Sequence, residues 1–251
     1  ASHSSNDRVE CSRTVQLLSA NLPKMINMHL GSLPTPELVS FATVEFCERV
    51  MCTYVSVAAL VRPVTEQSRL RIAKDMAALE VVLASAHPLD KQNSPIVREF
   101  KAFRQLLFSE ESPSSHSPIK PKASANTTDV RTIPSCQMLL AEPFAADLRP
   151  STLLGHLAAC APNQMPSPYA SGNTSTLAYV KLITAPDDSG SVETLYANKA
   201  GGRKWQHITA ERKAGEIVRD CLDVFMQRTA VADSSLKANL RGWYEVIVEV
   251  A

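Results

Sequence analysis

Prolines divide this chain into stretches that suit helices and little else. There are 16 of them in 251 residues, yet none lies between Pro36 and Pro63, between Pro63 and Pro88, or after Pro186. Inside a helix, proline removes a backbone hydrogen bond and clashes with the preceding turn, so helices belong where prolines are missing. Glycine points the same way. Only 8 are present, about half the ordinary frequency, which leaves few tight turns and few phosphate-cradling loops.

The apolar residues inside these gaps recur at helical spacing. TPEL opens the first gap as a helix start: Thr35 can cap, Pro36 suits the first helical position, and Glu37 favours the positive end of the helix dipole. Ala42, Phe46, Val50, Tyr54, Val57 and Val61 then follow one face over roughly 40 Å. In SRLRIAKDMAALEVVLA, residues 68–84, the stripe is Ile72, Met76, Leu79 and Leu83; in VREFKAFRQLLF, residues 97–108, it is Phe100, Phe103 and Leu107, with Ile96 just before. Behind Thr209, Ala214, Ile217, Cys221 and Phe225 share a face, and behind Asp233 so do Leu236, Leu240, Trp243, Ile247 and Val250. Each stripe is wide enough to pack on other helices. Residues 9–30 read as a further helix, with Pro23 expected to kink or break it.

Two stretches depart from this pattern. Residues 109–135, containing SEESPSSHSPIKPKASANTTD, are rich in Ser and Pro and nearly without large apolar groups. They cannot bury enough surface to offset the entropy of ordering, and are expected to be a disordered linker and plain spacer, with phosphorylation left open. In residues 167–204, LAYVKLIT and SVETLYA flank the turn sequence APDDSG and suit either a short hairpin or a loose surface insertion. The expected fold is therefore all-α: stacked amphipathic helices in a bundle or rod. Residues 1–108 form one bundle, 109–135 the linker, and 136–251 a second bundle with an insertion at about 170–202.

Composition narrows the function classes. The formal net charge is +1, far from the strongly basic balance of a nucleic-acid-binding domain. Two basic groups stand out locally, Arg69 with Arg71 and Lys74, and Arg98 with Lys101 and Arg104. At one charge every three or four residues they read as a solvated helix face rather than a phosphate or lipid patch. The six cysteines, Cys11, Cys47, Cys52, Cys136, Cys160 and Cys221, make no C-x-x-C pair and are expected to be reduced thiols facing the cytosol. The longest uncharged apolar run, residues 50–61, falls short of the about 20 residues that a bilayer requires, so membrane association is expected to be peripheral. The opening ASHSSNDRVE has neither Met nor the pattern of a signal peptide, and reads as a cut from a longer polypeptide.

No pattern of reacting groups emerges. NKAGGRKW lacks the spacing of a phosphate loop and the Ser or Thr that would follow it, so it reads as a flexible turn. His156 and Cys160 lie four apart but have no second pair to complete a zinc site. Asp187 and Asp188 sit in a turn, whereas an isoprenoid-type metal motif would need a helix wall. His207 stands beside Trp205 with no acid or nucleophile, and Trp243 and Tyr244 read as core and rim of a helix contact. No cofactor, no metal and no catalytic residue is expected, and the chain reads as a scaffold or interaction protein.

Four blocks, taken in order, give that reading a family. RLRIAKDMAALEVVLA resembles a helix in the C-terminal part of subunit five of the conserved oligomeric Golgi complex, whose A-x-D-x-A-x-x-E core appears as Ala73, Asp75, Ala77 and Glu80. VREFKAFRQLLF is similar to a family segment ending Phe-Arg-Pro-Leu-Leu-Phe, matched by Phe103, Arg104, Leu106, Leu107 and Phe108, with Gln105 where the family usually has Pro. RPSTLLGHLAACAPNQMPSPY resembles its short apolar helix, matched by Pro150, Leu153, Leu154, Leu157, Ala161, Pro162, Ser167, Pro168 and Tyr169. ERKAGEIVRDCLDVFMQRT fits one of the closing helices. The resemblance covers roughly residues 64–251.

What the resemblance implies is a non-enzymatic tethering subunit acting in retrograde intra-Golgi transport. It would sit peripherally on the cytosolic face of Golgi membranes, held there by partners. Those partners would be the other subunits of the complex, foremost subunit seven, together with SNAREs, Rabs and coiled-coil tethers. Nucleic acid would not be among them. The rival readings are a helical adaptor outside vesicle traffic, which should show a repeat period where none is seen, and a helical enzyme with a bound cofactor.

Overall fold

The computed structural model describes residues 10–86, 94–109, 136–160, 167, 175–184, 209–228, 241–243 and 245. Among these the fold is all-α, as expected, and no strand is present. The helices are α1 (Arg13–His29), α2 (Pro36–Ala58), α3 (Glu66–Ala86), α4 (Pro95–Leu106), α5 (Cys136–Ala141), α6 (Pro150–Cys160), α7 (Thr176–Thr184) and α8 (Thr209–Arg228), with a 3-10 turn at Pro143–Asp147 before α6.

The starts of these helices follow from local chemistry. Ser12 caps α1, its hydroxyl accepting from the Val15 amide at 3.4 Å. Thr35 caps α2 as predicted, accepting from the Leu38 amide at 3.3 Å, with Pro36 and Glu37 in the first turn. Before α3, Thr65 and Ser68 cap reciprocally: each amide donates to the other's hydroxyl, at 2.8 and 3.1 Å. Pro23 lies within α1, which runs on through it. The proline faces solvent, and the helix is held by Val15, Leu22 and Ile26 on its buried side.

The predicted stripes of α3 and α4 form the core. Met76, Leu79, Leu83 and Phe103 are completely buried, with Ile72, Ile96, Phe100 and Leu107 beside them. In α8, Ala214 and Cys221 are buried and Ile217 half-buried. Helix α2 is apolar on two sides. Its core face is Cys47, Met51, Cys52, Val55 and Ala58, one position along from the expected stripe. Phe46, Val50 and Tyr54 are only half-buried, and Val57 and Val61 are exposed.

Helix α6 lies at the centre, with all 11 of its residues buried. A helix apolar on every side is stable only when surrounded. It packs on α2 and α8, and at Gly155 the turn after α2 comes so close that an added Cβ would lie 3.1 Å from Leu60 and 3.5 Å from Ala59. The core contributed by α1 to α4 is continuous with that of α6, α8 and Trp243. The expected linker, residues 109–135, lies outside the described residues apart from Ser109, and the described parts on either side share this core.

The hairpin reading of LAYVKLIT is corrected. These residues lie in α7, which starts behind Ser175, whose hydroxyl accepts from the Ala178 amide at 3.1 Å. Tyr179, Val180 and Ile183 are buried in a small cluster with Leu60 and Ala214. Alternation suggested a strand, but packing on α2 and α8 selects the helix. SVETLYA lies outside the described residues, as do NKAGGRKW, Asp187, Asp188, Trp205, His207, Asp233 and the final stripe apart from Trp243.

Candidate functional site

Three arrangements of functional side chains follow from this packing. The first is a buried ionic node. Arg149, just before α6, is completely buried, and its Nε faces both carboxylate oxygens of Glu99 on α4 at 3.1 and 2.9 Å. Its Nη1 donates to the Ile183 carbonyl on α7 at 2.7 Å, and its Nη2 to the Ser56 hydroxyl on α2 at 2.8 Å. Glu99 also accepts from the Thr152 hydroxyl at 2.7 Å. Glu211 on α8 accepts from the amide and hydroxyl of Ser151 at 2.8 and 2.7 Å, and lies 3.7 Å from Arg149. One guanidinium therefore serves two buried carboxylates. Glu99 holds it more closely than Glu211 does. Burial pushes Glu211 above the ordinary value, the nearby Glu99 adds to the rise, and Arg149 and Ser151 oppose it without cancelling it. With Arg149, Glu99 and Glu211 all at 0–1% exposure, this node clamps five helices together and has no surface on which to react.

The second arrangement is a knot at Asp75 on α3. It accepts from the Ser12 amide at 2.6 Å, the Cys11 thiol at 2.8 Å and the Tyr54 hydroxyl at 3.2 Å, tying α1 and α2 to α3. Burial, reinforced by Asp75, pushes the Cys11 thiol up to about 11, which leaves it protonated and unreactive. Cys11, Cys47, Cys52, Cys160 and Cys221 are all free thiols; the side chain of Cys136 lies outside the described residues.

The third is a groove of about 730 Å³ along α2, bordered by α1 and α3. Phe46, Val50, Tyr54, Val57 and Val61, the stripe read from the sequence, line it, and Phe46, Val50 and Tyr54 also pack against the core.

The family-matching residues serve packing for the most part. Phe103, Leu106, Leu107, Leu153 and Leu154 are buried, Ala73 and Phe108 half-buried, and Ala77 exposed. Asp75 forms the knot just described. The first two blocks meet directly, since Arg104 donates to Glu80 at 2.7 Å. Pro162 and Pro168 lie outside the described residues.

The basic groups divide. Arg71, Lys74 and Lys101 are exposed, and Arg98 is half-buried and pairs with Asp147 at 3.5 Å. Arg69 corrects the solvated-face reading: it is 2% exposed and donates to the Leu107 carbonyl at 3.2 Å, satisfying a carbonyl that the end of α4 leaves over. His156 and Cys160 approach to 3.3 Å but are both buried, His156 edge-on to Phe103 and Cys160 beside Val64 and Ala159. No cluster of three potential metal ligands occurs among the described residues, and no described helix is long and apolar enough to cross a membrane.

Sequence reasoning missed Arg149, Glu99, Glu211 and the Tyr54–Asp75 contact. Glu99 carried a signal, since it lies three residues after Ile96 and four before Phe103, on the apolar stripe itself.

No family profile and no solved structure matches the chain. A curated relative does. The chain is 30% identical, over 165 residues, to conserved oligomeric Golgi complex subunit 5 of Arabidopsis thaliana. The match covers 65% of this chain and 16% of that relative, so the chain spans about a sixth of the relative's length. The resemblance carried by the four blocks is thus borne out as a likeness over most of the chain.

Proposed function

We propose that this chain is the C-terminal part of a Golgi tethering-complex subunit, and that it works by binding other proteins rather than by catalysis. The observation that carries the proposal is the 30% identity to subunit 5 across 65% of the chain. The buried state of the Arg149 node supports the non-enzymatic reading, because its charged groups are consumed in holding helices together. In this reading the protein acts in retrograde intra-Golgi transport at the cytosolic face of Golgi membranes, attached through its partners. The other subunits of the complex are those partners, subunit seven foremost, with SNAREs, Rabs and coiled-coil tethers engaged by the assembled complex. Rapid depletion of the full-length protein tests this. Glycosylation enzymes that recycle within the Golgi should disperse into vesicles within the first round of transport. Unchanged enzyme distribution after complete depletion would refute the transport role.

A further inference from the structure

Helix α2 carries more apolar surface than its own fold covers. One face, Cys47, Met51, Cys52, Val55 and Ala58, is buried in the core. A second face, Phe46, Val50, Tyr54 and Val57, continued by Val61 just past the helix end, lines the groove, with Val57 47% and Val61 38% exposed. Phe46, Val50 and Tyr54 are half-buried against the core and Val57 and Val61 are exposed, and apolar surface left uncovered in a groove marks a site of contact. Helix α1 packs on α3 and borders the groove with Thr14, Val15 and Leu18.

We infer that the groove receives one amphipathic helix from a partner protein, with an acidic residue beside its apolar face. The spacing of the lining argues for a helix. Positions 46, 50, 54 and 57 present apolar groups at successive turns of α2 over roughly 16 Å, with Val61 just past its end, which matches about three turns of an incoming helix. Asp75 and Tyr54 already satisfy each other within the knot, so they offer a small ligand no polar anchor. Charge gives the partner its chemistry. Arg49 and Arg71 stand along the groove, Arg49 held by Glu45 at 3.2 Å on its own helix and Arg71 exposed with no ion pair among the described residues. The only acid in the lining, Asp75, is buried and engaged. A carboxylate on the incoming helix therefore meets Arg71.

The inference rests on the reading that this chain functions by binding proteins, and it adds the surface and the kind of partner. It is tested in cells with the full-length protein carrying Thr53→p-benzoylphenylalanine, since Thr53 is exposed and lines the groove. Irradiation should join it to a single segment of another protein, with apolar residues at helical spacing and an Asp or Glu alongside. Val57→Glu or Arg71→Glu should lower the yield about tenfold or more, because a misplaced charge in an apolar contact is costly. Val81→Glu, on α3 where Val81 is 71% exposed and outside the groove lining, should leave it unchanged. Cross-linking to lipid, to a second copy, to the same chain or to nothing overturns the inference. If other tethering subunits co-purify while the Thr53 product is absent, the groove fails and the proposed function stands. If the product is an acidic amphipathic helix of an unrelated protein, the groove stands and the proposed function fails.

Discussion

At the scale of single residues, Arg149 decides more than any other side chain. Its guanidinium lies against two buried carboxylates, so removing it leaves them without a cation beside them. Arg149→Met should destabilise the protein by about 3–5 kcal/mol, read from urea unfolding. Replacing Glu99 and Glu211 by leucine in the same chain should restore much of that loss, because an apolar substitute for the whole node avoids the desolvation cost. The node also gives stability a pH dependence. Glu211 has its folded-state value raised above the unfolded value of 4.5, so its contribution is fully present below 4.5 and is lost as pH rises through the raised value. Glu211→Gln should remove that fall, and a slope unchanged by the substitution would contradict the assignment. Little of this was legible. Arg149 precedes a proline in a short loop, and Glu211 resembles an ordinary acid in a first helical turn. Their partnership depends on three-dimensional proximity that spacing does not record.

At the scale of elements, the sequence was most legible where one face alone is apolar. The stripes of α3 and α4 were read correctly because their opposite faces are charged. Helix α2 is apolar on two sides, so spacing alone did not say which side is core, and the more regular stripe is the one lining the groove. Helix α7 misled because nine residues with two aromatic or branched alternations satisfy both periods. Two substitutions test the element packing. Gly155→Val should lower stability by about 1–3 kcal/mol, since its methyl groups would meet Leu60 and Ala59 where even a single added carbon is tightly placed. Pro23→Ala, at an exposed position inside α1, should stabilise by about 1–3 kcal/mol by restoring an amide to the Ser19 carbonyl. Thermal unfolding followed by circular dichroism measures both, and an unaltered melting temperature in either variant would contradict the packing described for that helix.

At the scale of the whole molecule, one core joins α1 to α4 with α6, α8 and Trp243. Urea unfolding should therefore give coincident transitions by tryptophan fluorescence and by circular dichroism; separated midpoints would show that the two parts unfold independently. The helical class was legible from proline gaps and apolar period, and the likeness to subunit 5 from the order of four weak blocks. The face that meets a partner was not, because an apolar stripe has the same spacing whether it enters a core or lines a groove. The central claim is membership of a Golgi tethering complex, and the most direct measurement is capture of the full-length protein from cells at native level, with mass spectrometry of what accompanies it. The account predicts the other subunits of that complex in near-equal amounts, subunit seven among them. A different assembly, or the protein alone, would contradict it.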